Sequence, residues 1–227
     1  MKSNSYPSLR KTVSAILAST LLAGSVHAAV VVTTTVQGGT GYAVASSTDL
    51  LQTAFGTYTG TLDTVSGAQP ESRVRDGLGL STDPSAPRIN SGSSATYTLD
   101  LSTNTLGYTL NSIDIFFGHS NGGRDEITSF NVQYATVSAP TTFITALSGG
   151  SSVIGASPFY GRARVADDTL SSFATNVAAI RITFTTVENG WSTLKEIDVN
   201  GSPVVIPEPT SALLGGIGLL FLLRRRR

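Results

Sequence analysis

The side chains able to do chemistry in this 227-residue chain are few and unevenly placed. Cysteine is absent, which excludes a thiol nucleophile. There are two histidines, His27 and His119, and His27 lies in an N-terminal stretch that reads as removable. One remaining histidine without cysteine does not assemble an ordinary zinc site. A Ser-His-Asp triad would have to use His119, in "GHSNGGRDE", with Ser120 beside it and no nucleophile-elbow sequence; adjacent residues do not supply that geometry. Carboxylate pairs of the kind that hydrolyse glycosides occur at Asp125 with Glu126, Asp167 with Asp168, and Glu196 with Asp198. The first two sit in turn-like stretches and read as solvated caps. The third alternates along one face of a strand, ~7 Å apart, and nothing in its sequence marks either member as an acid of raised pKa.

Sugar recognition asks for an aromatic platform with polar groups beside it. "GHSNGGRDE" supplies His119, Asn121 and Arg124 in one loop. "ENGWSTL" supplies Trp191, the only tryptophan, just before a strand, and "SPFYGRARV" supplies Tyr160 and Arg162. On a β-sandwich these would converge at one rim. The alternative makes Trp191 a core residue and pairs Arg124 with Asp125 or Glu126.

The elements that must position these residues are short strands. "ATYTLDL" puts Ala95, Tyr97, Leu99 and Leu101 on one face, "SIDIFF" puts Ile113, Ile115 and Phe117 together, and "SFNVQYA" does the same for Phe130, Val132 and Tyr134. "AAIRITFTT" places Ile180, Ile182 and Phe184 inside, with Arg181, Thr183 and Thr185 outside; "LKEIDVNG" closes with Ile197 and Val199, and "AVVVTTTV" opens the series. Each has a period of two and one wet face. Turn formers separate them: "NTLG", "LSGGSS", "ENG" and "NGSP". No amphipathic helix stands out. The expected class is all-β, an antiparallel sandwich or jelly roll, with an N-terminal signal helix and a short C-terminal hydrophobic helix.

Composition and charge say where such a domain works. Only 13% of residues are charged, against a typical ~25%. Net charge is zero, yet Lys2, Arg10, Lys11 and Arg224, Arg225, Arg226 and Arg227 all lie at the termini. The stretch between, up to Ile206, carries eight basic and fourteen acidic residues, a net of −6, which is no footprint for nucleic acid. The N-terminus has a positive start, an apolar run over 13–26, and Val26 and Ala28 at the −3 and −1 places of a cleavage site, so the cut is expected between Ala28 and Ala29. At the other end, the apolar run 212–223 spans ~18 Å as a helix, short of a ~30 Å hydrocarbon core. It suits transient insertion, with the arginines held on the cytoplasmic side, while Pro207 and Pro209 keep the segment before it extended.

The ending "IPEPTSALLGGIGLLFLLRRRR" resembles the PEP-CTERM sorting signal of Gram-negative bacteria: Pro207, Glu208 and Pro209, a short apolar helix, then the arginine cluster. That resemblance implies processing by an exosortase-type membrane peptidase and export to the envelope, cell surface or extracellular matrix, in company with exopolysaccharide.

The body carries a second resemblance. "ATYTLDLS", "LNSIDIFFGHSNGGRDEITSFNVQYAT" and "AAIRITFTTVENGWSTLKEIDVNG", in that order, look like the galactose-binding-like jelly roll of the discoidin and coagulation-factor C-type group. Glu196, Ile197, Val199 and Gly201 fit its closing strand, Arg181 its arginine strand, and Asp76 with Gly77 its Asp-Gly. The cysteine pair of the animal members is missing, and no tryptophan follows the Asp-Gly. The resemblance implies a structural calcium held by Asp76, the Gly77 carbonyl and Glu196; the alternative has Asp76 capping a turn and Glu196 paired with a base such as Arg181.

The expected layout is a signal peptide over 1–28, a galactose-binding-like β-sandwich over 29–203 and a sorting signal over 204–227. The expected function is a non-enzymatic, exported carbohydrate-binding module. The rivals are a structural or adhesive surface protein with protein partners and, behind it, a carboxylate-based polysaccharide hydrolase.

Overall fold

The computed structural model describes residues 29–37, 48–62, 70–77, 87–118, 126–152, 160–169 and 171–205. The expected signal helix and C-terminal helix lie outside them. The fold is all-β. Among the described residues ten strands follow in order: β1 (Val30–Gln37), β2 (Phe55–Gly60), β3 (Arg88–Asn90), β4 (Ser94–Leu99), β5 (Tyr108–Gly118), β6 (Ser129–Thr136), β7 (Ala139–Gly150), β8 (Tyr160–Asp167), β9 (Ala174–Thr186) and β10 (Trp191–Pro203). One short helix, α1 (Leu50–Thr53), and two 3₁₀ turns, Glu71–Arg75 and Glu188–Gly190, accompany them. Among the described residues no helix is long and apolar enough to cross a membrane.

Every strand pairing is antiparallel. One sheet runs β3-β10-β5-β8-β1 and the other β2-β4-β9-β6-β7. Two rungs between β5 and β9, Tyr108 with Val177 and Leu110 with Ala174, join them at one corner. The core lies between the two sheets: Ile113, Ile115 and Phe117 from one side meet Tyr97, Phe130, Ile180, Ile182 and Phe184 from the other. Each such side chain withdrawn from water contributes about 1.5–3 kcal/mol.

In the second sheet the alternation read from sequence holds. Ala95, Tyr97, Phe130, Val132, Ile180 and Ile182 are buried, while Thr96, Thr98, Asn131, Gln133, Arg181 and Thr183 face outward. Strands β5 and β10 behave differently, because both of their faces are buried. α1 and the turn Glu71–Arg75 pack against β10, so its outward side is covered too. A bulge between Leu194 and Glu196 sets which residues go there. Leu194 points into the core; plain alternation would send Glu196 and Asp198 after it. The extra residue, Lys195, reverses the phase, so that Ile197 and Val199 enter the core and the two carboxylates leave it.

Two sequence-predicted turns are strand instead. "LSGGSS" stays in β7 as far as Gly150, and "NGSP" stays in β10 as far as Pro203. At the second, Gly201 marks a close approach rather than a chain reversal: a Cβ there would strike the Thr109 carbonyl and come within 2.8 Å of Leu50. Strands β2, β3, β7 and β8 were not evident from sequence. β7 and β2 are edges among the described strands, and an edge strand needs no clean alternation.

Candidate functional site

Among the described residues, two places bring polar side chains together. The first is the covered face of β10. Asp49 stands immediately before α1 and caps it, its Oδ1 accepting the Leu51 N–H at 3.0 Å. The same oxygen accepts the Val199 N–H of β10 at 2.8 Å, which fixes the helix onto the strand. Asp49, Glu196 and Asp198 thereby converge, with one carboxylate oxygen from each lying within 4.8 Å of the others. They are 0%, 0% and 4% exposed. Three of their oxygens, Asp49 Oδ2, Glu196 Oε2 and Asp198 Oδ1, have no hydrogen-bond donor.

Neighbouring groups answer part of this charge. Asp198 is paired across the ladder with Asp114 of β5. Asp114 is faced by Arg162 at 3.8 Å and Arg164 at 3.6 Å, and accepts from the Asn200 amide at 3.1 Å. Burial pushes Glu196 up to about 9; the Gly77 N–H opposes this, and the charges of Asp198, Asp76 and Asp49 add to it. Burial likewise pushes Asp198 up to about 8, with Asp49 and Asp114 adding and Arg162 opposing. Asp49 is raised by burial against its two backbone donors and the Gln52 side chain. Buried carboxylates this close do not all ionise unaided.

A hard dication fits this donor set. Calcium takes oxygen ligands at about 2.3–2.6 Å, so its ligand atoms stand no more than roughly 5 Å apart, as these do. Four carboxylates and two guanidiniums leave two negative charges, which one calcium ion would cancel. Asp49, Glu196 and Asp198 are the residues that would hold it.

The sequence-predicted calcium residues are arranged otherwise in part. Gly77, at φ +74°, donates its N–H to Glu196 Oε1 at 3.0 Å. The Asp76 carboxylate is ion-paired with Arg73 at 3.3 Å. Arg181 lies on the outer face of the second sheet, over the Phe143 ring at 3.7 Å, and does not meet Glu196. Asp49 was missed; its signal was "TDLLQ", an aspartate just before an apolar pair, the mark of a helix N-cap. Of the other carboxylates, Asp167 caps a turn as expected, accepting from Thr169 N at 2.8 Å and lowered chiefly by the Thr169 hydroxyl, but it is buried rather than solvated.

The second place is the pole where β5 runs out and β8 and β10 begin. Tyr160 opens β8 opposite Gly118, the last residue of β5, and its ring packs on Phe116. Lys195 Nζ lies 5.5 Å from the Tyr160 ring centre. On the other side of β5, the Thr193 hydroxyl donates to the Gly118 carbonyl. Trp191 stands two residues further out, half-buried, opposite Asn90, with the Arg88 guanidinium 4.6 Å from its ring centre. β8 and β10 flank β5, so their backbones are about 10 Å apart across it. Tyr160 and Trp191 thus share a pole with the point where the chain enters His119. His119, Asn121 and Arg124 themselves lie outside the described residues, as do Ala28, Pro207, Glu208, Pro209 and the four arginines. Ala29 is exposed, and its carbonyl accepts the Asp168 N–H at 3.0 Å.

Neither a protein-family model nor a curated protein matches the chain. Solved structures do resemble it. A pectin-binding carbohydrate-binding module is 16% identical, with 67% of this chain and 94% of that one covered, at a TM-score of 0.38. Chitosan-binding module 1 from a chitosanase/glucanase of Paenibacillus sp. IK-5 is 16% identical, with 67% and 98% covered, at 0.41. The CBM32-1 and CBM32-2 domains of ZmpB from Clostridium perfringens are 9% identical, with 76% and 42% covered, at 0.47.

Proposed function

We propose that the chain is an exported, non-enzymatic carbohydrate-binding module that meets exopolysaccharide at the β5/β8/β10 pole. The observation that carries this is the setting of Trp191. The only tryptophan of the chain is not in the core; it stands half-buried at a strand end with a guanidinium on its ring. An aromatic plane beside a fixed donor is the arrangement that holds a sugar ring. The course of the chain supports the reading. Ala29 and Val205 both lie at the opposite pole: Val30 pairs with Asp167, and Val204 N–H bonds to the Gly107 carbonyl beside β5's first residue. A domain sorted through its C-terminal segment and processed by an exosortase-type peptidase would then present Trp191 away from that segment. Calcium at Asp49, Glu196 and Asp198 is structural in this reading, tying α1 to β10.

A glycan array on the exported protein tests it. Trp191→Ala is expected to abolish binding of those array glycans held at this pole while leaving the melting temperature within a few degrees; binding to no glycan, or an unchanged array profile in the variant, would overturn it. The intact mass of the exported protein tests the processing step, which requires that the four arginines be gone. The adhesive reading draws on β7, a twelve-residue strand paired on one side only among the described strands; self-association without glycan binding would favour it. The buried Glu196–Asp198 pair gives no support to hydrolysis, because a polymer cannot reach either residue.

A further inference from the structure

At the pole opposite Trp191 an open cavity of about 600 Å³ lies among the 105–106 turn, the end of β6 and the start of β9. That is within the range of small-molecule sites, about 300–1,000 Å³. Tyr134 and Phe173, both half-buried, give it two aromatic walls. Thr105, Thr136, Ser138, Ser172 and Thr175 add hydroxyls, and Asn176 adds an amide. Not one lining residue is charged. Thr136 and Ser138 bond each other at 3.1 Å, and the Asn176 amide is held by donating to the Leu106 carbonyl at 3.0 Å, which leaves its Oδ1 as an acceptor.

We propose that this cavity binds a short stretch of uncharged oligosaccharide, as a second glycan site distinct from the Trp191 pole. The chemistry of the lining selects the class. A uronate or sulfated sugar would find no counter-charge among these residues. A purely apolar ligand would strand the hydroxyls and the amide without partners. A neutral pyranose offers apolar ring faces to Tyr134 and Phe173 and hydroxyls to the rim. β9 starts at the cavity and ends twelve residues later near the other pole, about 40 Å away at ~3.3 Å per residue. One domain would then bridge two polysaccharide chains. The bridging rests on the Trp191 reading; the cavity does not.

The test is a titration of the exported protein with cellotetraose, xylotetraose and galactotetraose, and with tetragalacturonate as the anionic comparator, followed by amide chemical shifts. A neutral probe is expected to move the amides of 134–138 and 172–176, and tetragalacturonate is not. Ser172→Trp and Thr175→Trp, both at exposed positions, should each weaken that binding at least tenfold with unchanged melting, and Trp191→Ala should leave it intact. The proposal is overturned if no neutral probe moves those amides, if tetragalacturonate binds there equally well, or if the two blocking variants bind like the parent. Loss of all binding on Trp191→Ala would overturn the cavity while upholding the other pole.

Discussion

The two sheets bury the same kind of apolar side chain toward the shared core but treat their outer faces in opposite ways. In the β2-β4-β9-β6-β7 sheet the outer rungs are Thr96, Arg181, Gln133 and Thr145, side by side and open to water. In the β3-β10-β5-β8-β1 sheet the corresponding rungs hold Asp114, Asp198 and Glu196, and they are closed over. Thus a sheet face is a solvation choice made by whatever packs on it. Carboxylates that would be inert in water become a high-energy cluster once α1 and the turn Glu71–Arg75 lie across them.

The sharpest way to break this contrast is a matched pair of charge changes. Asp114→Lys on the closed face is expected to cost about 3 kcal/mol, since it removes the buried carboxylate that Arg162 and Arg164 face and sets a third cation beside them. Thr183→Lys on the open face should stay within about 0.5 kcal/mol. Thermal melting of both variants compares the faces directly, and equal losses would abolish the distinction.

The next effect is that of calcium. At a hundred times its dissociation constant the ion should raise stability by about 2.7 kcal/mol. Asp49→Asn, which can still cap α1, should lose that response; a melting temperature indifferent to calcium and chelator would sink the site.

A pH series in chelator sharpens the point further. Glu196 rises from 4.5 to about 9 and Asp198 from 3.8 to about 8 on folding. Between those values the folded chain holds protons that the unfolded chain has lost, so stability should fall as pH rises from 4 to 9. The slope is up to about 1.4 kcal/mol per pH unit for each group. Calcium should reverse that trend, because it binds the deprotonated carboxylates.

The smallest expected loss from removing a contact is on the open face. Phe143→Ala, which removes the ring under Arg181, should cost about 0.5–1 kcal/mol and show no calcium or pH dependence.

The same contrast explains what could be read from sequence. Strands β4, β6 and β9 were legible residue by residue, because a face in water and a face in the core leave a period of two. Ile113, Ile115, Ile197 and Val199 were legible for the same reason. The covered face was not: Glu196 and Asp198 have the spacing of wet residues, and their burial comes from long-range closures such as the Gly77–Glu196 and Asp49–Val199 hydrogen bonds. β7 escaped notice because Ala139–Gly150 is an edge with little alternation. Trp191 and Tyr160 could be proposed for one rim from their flanking turns, but their common pole needed the registers of β8 and β10 on β5.

By itself, then, the sequence settled the all-β class, the inward residues of the alternating strands, the poverty of nucleophiles and metal-binding sulfur or imidazole, and the asymmetric charge of the two ends. These follow from local chemistry and from period. The tertiary structure alone decided that Asp49 meets residues 150 positions away, that a bulge at Lys195 turns two acids out of the core, and that a cover then shuts them from water. Contacts of that span depend on register and on which surface packs over which, and neither leaves a local trace in the order of residues.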